Sequence, residues 1–146
     1  MTAKEYLSQI RKYDNMINSK LADIYRLKTM ACSMSIEPND DRVQSSISGD
    51  RLSNTVAKIV DMENEVDVLV DTLVQKRNDI ISKIDSMEND DYREVLTHRF
   101  VLCKSFDSIY EDIHMSRRNM FRVYDKALKE FEIKFKDVLT FGIEWH

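Results

Sequence analysis

The chain has 146 residues, a formal net charge of −4 and 33% charged residues. This length suits one domain, or a small domain with an extended arm, and the net acidity argues against a protein that coats nucleic acids nonspecifically. With only two glycines and one proline, long helices and an all-α fold are predicted.

The N-terminal part, residues 1–88, is predicted to form a long helical hairpin or coiled coil. Apolar residues recur at alternating spacings of three and four from Leu7 to Ala31 and again from Leu52 to Met87. Between them, Pro38, several serines and Gly49 predict a loop at about 33–50. The apolar stripe of the second arm is wider than a two-stranded seam, so we expect a homodimer formed through residues 1–88.

Residues 89–136 are predicted to form a helix-turn-helix domain. After a short amphipathic segment that begins near Tyr92, Phe106, Ile109 and Ile113 share one helix face, and Ser105 precedes it as an N-cap candidate. Ser116 is a second N-cap candidate. The buried side of the second helix is predicted to consist of Met120, Val123, Ala127, Leu128 and Phe131.

The start of this second helix is rich in side chains that can read DNA. Arginine bonds guanine with two donors, and asparagine can bond adenine in the same way. Double-stranded DNA is therefore the expected partner, with no cofactor. The expected base contacts are Arg117, Arg118, Asn119 and Arg122, and the expected phosphate contacts are Lys104, Ser116, Lys126 and Lys129.

The segment from Ser105 to Leu128 resembles the last helix-turn-helix of bacterial sigma factors. The most recognisable pieces are Ser116-Arg117-Arg118 at its start and Lys126-Ala127-Leu128 at its end. Two positions depart from the pattern. Tyr110 stands where a small residue is usual, and His114 stands where glycine is usual because the backbone there is left-handed.

A wider resemblance covers most of the chain. Ala3-Lys4-Glu5-Tyr6-Leu7, Arg42-Val43-Gln44-Ser45-Ser46, Gly49-Asp50-Arg51-Leu52 and the segment from Tyr92 to Phe100 resemble a family of small phage and prophage proteins of Gram-positive bacteria, the ArpU-type late-gene transcriptional regulators. This resemblance implies sequence-specific transcription control in the cytoplasm of a bacterial host.

The sequence gives little indication of a metal site, an enzyme active site or a membrane span. No Cys or His pair has zinc-ligand spacing, and a glycine-rich phosphate loop is missing, so neither a metal site nor an enzyme is expected. Cys32 and Cys103 are predicted to be packing residues. No apolar stretch is long enough for a membrane span, and the apolar tail at 137–146 is expected to dock on protein.

Two alternative functions remain open. The recognition subunit of a phage packaging motor, like a small terminase, would also join a helix-turn-helix to oligomerising helices. A protein-interaction module could instead keep the fold and dock on host RNA polymerase or another host protein. The acidic side chains of the first motif helix, Asp107, Glu111 and Asp112, favour this second alternative because they would repel DNA phosphates.

Overall fold

A computed structural model of the chain confirms the all-α fold. It describes residues 1–36 and 42–144, with side chains described for 1–34 and 49–140, and no strand occurs among them. None of the described helices combines the length and hydropathy that crossing a membrane requires. The helices are α1 (Ala3–Leu7), α2 (Gln9–Ile36), α3 (Arg42–Asp85), α4 (Asp90–Leu96), a π-helical turn (Thr97–Val101), α5 (Phe106–Asp112), α6 (Arg117–Lys134) and α7 (Lys136–Glu144).

The predicted loop at 33–50 is wrong over most of its length. Helix α2 continues to Ile36 and α3 already begins at Arg42, so residues 33–36 and 42–50 are helical, and 37–41 lie outside the described residues. Serine and glycine disfavour a helix interior by less than about 1 kcal/mol each. Once a helix is nucleated, each further residue adds one hydrogen bond, which offsets such losses.

The chain forms two compact units, Met1–Lys12 with Leu73–His146, and Tyr13–Thr72. This division differs from the expected one at residue 88, because the ends of both N-terminal arms belong with the C-terminal helices. We call the first the C-terminal unit and the second the two-helix unit.

In the two-helix unit, α2 and α3 run antiparallel. Lys20 Nζ lies 2.6 Å from Glu65 Oε2, and farther along α2 Lys28 Nζ lies 3.0 Å from Glu63 Oε1. Both pairs are partly exposed and therefore contribute little stability. Few of the described side chains of this unit are buried, namely those of Ile17, Ile24, Ile59 and Val66, and each stays 4–8% exposed.

The C-terminal unit holds the main core, and α6 runs through it. Phe131 of α6 is fully buried and its ring centroid lies 6.0 Å from that of Tyr6. The backbone N–H of Ala3 donates to Glu132 Oε1 at 3.2 Å, which fixes α1 against α6. The other fully buried large side chains of this core are those of Leu7, Ile80, Ile84, Met87, Val95, Leu96, Ile109 and Met120.

The amphipathic segment predicted before the motif is α4 with the π-helical turn. Asn89 caps α4, because its Oδ1 accepts from the N–H groups of Asp91 and Tyr92 at 2.9 and 3.3 Å. The π-helical turn ends at Val101, and two residues later Cys103 has a left-handed φ of 55°. The prediction that both cysteines are packing residues is wrong, since Cys32 and Cys103 are both exposed.

The apolar tail expected at 137–146 is helical as far as Glu144. Helix α7 begins at Lys136, directly after Phe135, which is the C-cap of α6, and Leu139 is buried in the core of the C-terminal unit. Residues 145–146 lie outside the described residues, so the docking predicted for Trp145 does too.

Candidate nucleic-acid interface

Two serines start the two helices that position the candidate site. Ser105 Oγ accepts from the N–H of Ser108 at 3.3 Å at the start of α5, and Ser116 Oγ accepts from the N–H of Asn119 at 3.2 Å at the start of α6. Both caps are where the sequence predicts them. Each satisfies a backbone donor that the first turn of a helix leaves unpaired.

The turn between α5 and α6 is left-handed at His114, where φ is 56°. The N–H of Met115 donates to the carbonyl of Tyr110 at 3.2 Å, and the N–H of His114 donates to that of Glu111 at 3.4 Å. These two bonds are those of a Schellman motif, which closes the end of a helix. Tyr110 and Met115 both pack against the core, so the turn accommodates tyrosine where a small residue is usual.

The inner face of α6 is anchored by aromatic side chains. The ring of Phe106 lies 4.9 Å from that of Phe121 and 5.2 Å, edge-on, from that of Tyr124. Burial raises the pKa of the Tyr124 hydroxyl, an effect that Arg99 opposes. The predicted inner residues Met120, Val123 and Ala127 are all buried, so the inner face of α6 is fixed against the core.

The outer face of α6 carries the predicted base-reading residues. Arg117, Arg118 and Arg122 are exposed and Asn119 is half-buried. Within the described part of the chain, none of these three guanidinium groups forms an ion pair. The structure brings Arg118, Asn119, Arg122 and the capping Ser116 together around an open depression of about 280 Å³.

Two of these side chains are held by neighbours. Arg122 Nη2 donates to Asn119 Oδ1 at 2.9 Å, and the guanidinium of Arg117 lies 5.7 Å from the centroid of the Phe121 ring. The first contact uses Asn119 Oδ1 and one Arg122 donor, so the two amide hydrogens of Asn119 and the other donors of Arg122 can still bond a ligand. Arg118 keeps its full set of five donors.

The predicted phosphate contacts divide into two groups. Lys104 Nζ lies 2.8 Å from Asp112 Oδ2, and this hydrogen bond lowers the pKa of that carboxyl. Lys104 is therefore occupied within the protein. The side chains of Lys126 and Lys129 are exposed on α6, and the hydroxyl of Ser116 is already used by the helix cap.

One positioning residue was missed by the sequence analysis. The guanidinium carbon of Arg99 lies 3.9 Å from the centroid of the Phe106 ring, and its Nη1 donates to the carbonyl of Lys104 at 2.9 Å. Arg99 thus connects the π-helical turn to the start of α5. The only signal in the sequence was its place in the block from Tyr92 to Phe100.

In the described ranges, nowhere do three or more His, Cys, Asp or Glu side chains gather as metal ligands would.

No curated protein and no solved structure matches the chain. One family profile does match, over residues 34–132, which is more than half of the sequence. The chain therefore belongs to DUF1492, a family of proteins of unknown function.

Proposed function

We propose that the protein is a sequence-specific DNA-binding transcriptional regulator that uses α6 as its recognition helix and acts as a dimer. The observation that carries this proposal is the exposed arginine cluster at the start of a helix whose opposite face is buried. A recognition helix needs this arrangement, because its N-terminal residues contact base edges while its inner face is fixed by the domain.

The charges of α6 support the proposal. At 100° per residue, Arg118, Arg122, Lys126 and Lys129 fall within about 80° of one another around the helix axis. We call these four residues the cationic stripe. Asp125 is exposed and lies about 20° outside this arc, so the arc together with Asp125 carries a charge of +3. The positive charge of such a stripe is complementary to the phosphates that flank the DNA groove. The net negative charge of the whole chain does not prevent this, because the cations are concentrated on one helix.

The two-helix unit supports the dimer. Few of its described side chains are buried, and isolated pairs of helices rarely bury enough apolar surface to be stable. Lys28 and Glu63 pair across one side of this unit. At heptad spacings from them, the same side carries apolar side chains that are 40–75% exposed, namely Leu21, Tyr25, Val56, Val60 and Val70. A second copy would cover them and form a four-helix bundle.

The phage or prophage setting and the resemblance to sigma factors rest on the sequence blocks described above. A second candidate is a module that docks on host RNA polymerase. The exposed carboxylates of Asp107 and Glu111 on α5 favour it, because like charges near a DNA backbone weaken binding.

The proposal predicts that the paired substitution Arg118→Ala and Arg122→Ala abolishes specific binding without unfolding the protein. Each bidentate contact to a base is worth about 1–3 kcal/mol, so affinity for a selected DNA site should fall at least about thirtyfold. Binding would be measured by fluorescence anisotropy, with circular dichroism to check the fold.

The matched control is Arg51→Ala with Arg77→Ala, which removes the same charge from exposed positions of α3. Its affinity should stay within about threefold of the wild type, as general electrostatics alone would allow. Equal losses in both double variants would contradict the site. Binding of purified host polymerase that is lost in Asp107→Asn with Glu111→Gln, without any DNA binding, would select the docking module instead.

A further inference from the structure

A small cleft in the C-terminal unit gathers three cationic side chains that the proposed function does not use. It has a volume of about 40 Å³, which is the space of about three water molecules. No carboxylate is among the residues that line it, which are Lys4, Ser8, Arg11, Arg99 and Phe100.

Helical spacing brings the first three of these residues to one face. Positions 4, 8 and 11 follow the i, i+4, i+7 pattern, and the hydrogen bonds continue across the junction of α1 and α2. There the N–H of Ser8 donates to the Lys4 carbonyl at 3.0 Å, and the N–H of Lys12 donates to the Ser8 carbonyl at 3.1 Å. The face is therefore continuous where it meets the π-helical turn.

The π-helical turn supplies the other side of the cleft. Arg99 is held there by the carbonyl of Lys104 and by the face of the Phe106 ring, so its guanidinium is pre-positioned. In the same turn, His98 Nδ1 is buried without a hydrogen-bond partner among the described residues. Single π-helical turns inside α-helical segments are frequent at functional sites.

Two of the cationic side chains that line the cleft have no partner among the described residues. In the part of the chain that the structure describes, the side chains of Lys4 and Arg11 form neither an ion pair nor a hydrogen bond. Lys4 and Arg11 are exposed, and cations that share one small cleft repel each other less when an anion lies between them. Two guanidinium groups and a hydroxyl are the donors that phosphate oxygens accept best.

We infer that this cleft binds a phosphate group through Lys4, Ser8, Arg11 and Arg99. Its volume matches the three terminal oxygens of one phosphoryl group rather than a larger ligand. The group could be supplied by a free phosphorylated small molecule or by the DNA backbone. The inference goes beyond the proposed role of α6, because the cleft requires no contact from the cationic stripe.

The test is a titration of the isotope-labelled full chain with inorganic phosphate at constant ionic strength, followed by NMR. We expect saturable shifts of the Ser8, Arg11 and Phe100 amides, and an affinity about tenfold weaker in Lys4→Gln and in Arg11→Gln, since each removes a charge-assisted hydrogen bond. The matched control is Lys12→Gln, a neighbouring exposed lysine outside the cleft, which should bind phosphate like the wild type. Shifts that never saturate, or equal weakening in the control, would overturn the inference.

A second experiment identifies the source of the phosphate. If the DNA backbone supplies it, Arg11→Gln should also weaken DNA binding and reduce the slope of log affinity against log salt by about one. Unchanged DNA binding, with weakened binding of inorganic phosphate, assigns the cleft to a free phosphorylated ligand. Because inorganic phosphate is the probe, failure of DNA binding alone would refute the proposed function and leave this inference standing.

Discussion

Among single residues, His114 has the least favourable backbone conformation in the candidate site. A left-handed conformation costs a residue with a β-carbon about 1–2 kcal/mol. The Schellman hydrogen bonds of Tyr110 and Glu111 require it here, because they fix the path from α5 into α6. The orientation of α6 therefore depends on a strained position.

Replacing His114 by glycine should stabilise the protein. Relief of the left-handed strain exceeds the extra chain entropy that glycine adds to the unfolded state, so the free energy of unfolding should rise by about 0.5–1 kcal/mol. Thermal and urea unfolding would measure it. The control is Glu111→Gly in α5, which should lower stability by about 1 kcal/mol. A loss of stability in His114→Gly would show that the imidazole makes contacts which outweigh the strain.

Local chemistry made several single-residue features predictable. Both capping serines and the exposed arginines follow from spacing within a few residues, whereas the left-handed turn was implied by the resemblance to the sigma-factor motif. The hydrogen bond between Lys104 and Asp112 could not be foreseen in the same way, because it joins two side chains across the whole length of α5. The role of Arg99 could not be predicted for a similar reason, because the Lys104 carbonyl and the Phe106 ring come close to it only once the π-helical turn forms.

At the scale of elements, α3 is the largest departure from the sequence-based expectation. It is 44 residues long and includes Gly49 in its interior. Composition alone indicated a loop, because serine, asparagine and glycine are common in turns. The only proline of the segment, Pro38, lies before the helix, so nothing in 42–85 lacks a backbone N–H for the helical ladder.

Replacing Gly49 by alanine should therefore stabilise α3. Beyond the backbone of its own helical turn and its chain neighbours, a β-carbon at this position would meet none of the described atoms within 4 Å, and alanine is favoured over glycine in a helix interior by about 1 kcal/mol. Amide hydrogen exchange around residue 49 should slow by up to about fivefold. The control is Ala57→Gly, an exposed alanine of the same helix, in which exchange should accelerate. Faster exchange in Gly49→Ala would mean that a loop, not a helix, forms there in solution.

The spacing of the apolar residues along α2 and α3 was predicted from the sequence, but which of these residues are buried was not. Leu21 lies on the predicted heptad yet is 48% exposed, whereas Ile17 and Ile24 beside it are buried. A straight helix with 3.6 residues per turn drifts by about 20° per heptad relative to a 3.5-residue repeat. A strict seven-residue repeat therefore assigns to the buried face some positions, such as Leu21, that lie at its edge. The repeat of one chain does not show what covers such positions.

At the scale of the whole molecule, the core of the C-terminal unit joins segments far apart in sequence. Leu7 from α1, Ile84 from α3 and Phe131 from α6 are all fully buried in it. Periodicity predicts that each of these side chains is buried but not which others it meets, because local spacing carries no information on long-range pairing. This is why the expected boundary at residue 88 differs from the observed units.

The most direct test of the central claim is a selection of random double-stranded DNA by the purified full-length protein, with its mass measured in solution. The account predicts a mass near twice 17.3 kDa and an enriched motif of two half-sites whose centres are about 34 Å apart, or a multiple of that. A larger ring would instead favour the packaging subunit. A folded protein that enriches no DNA sequence at all would contradict the claim that α6 reads DNA.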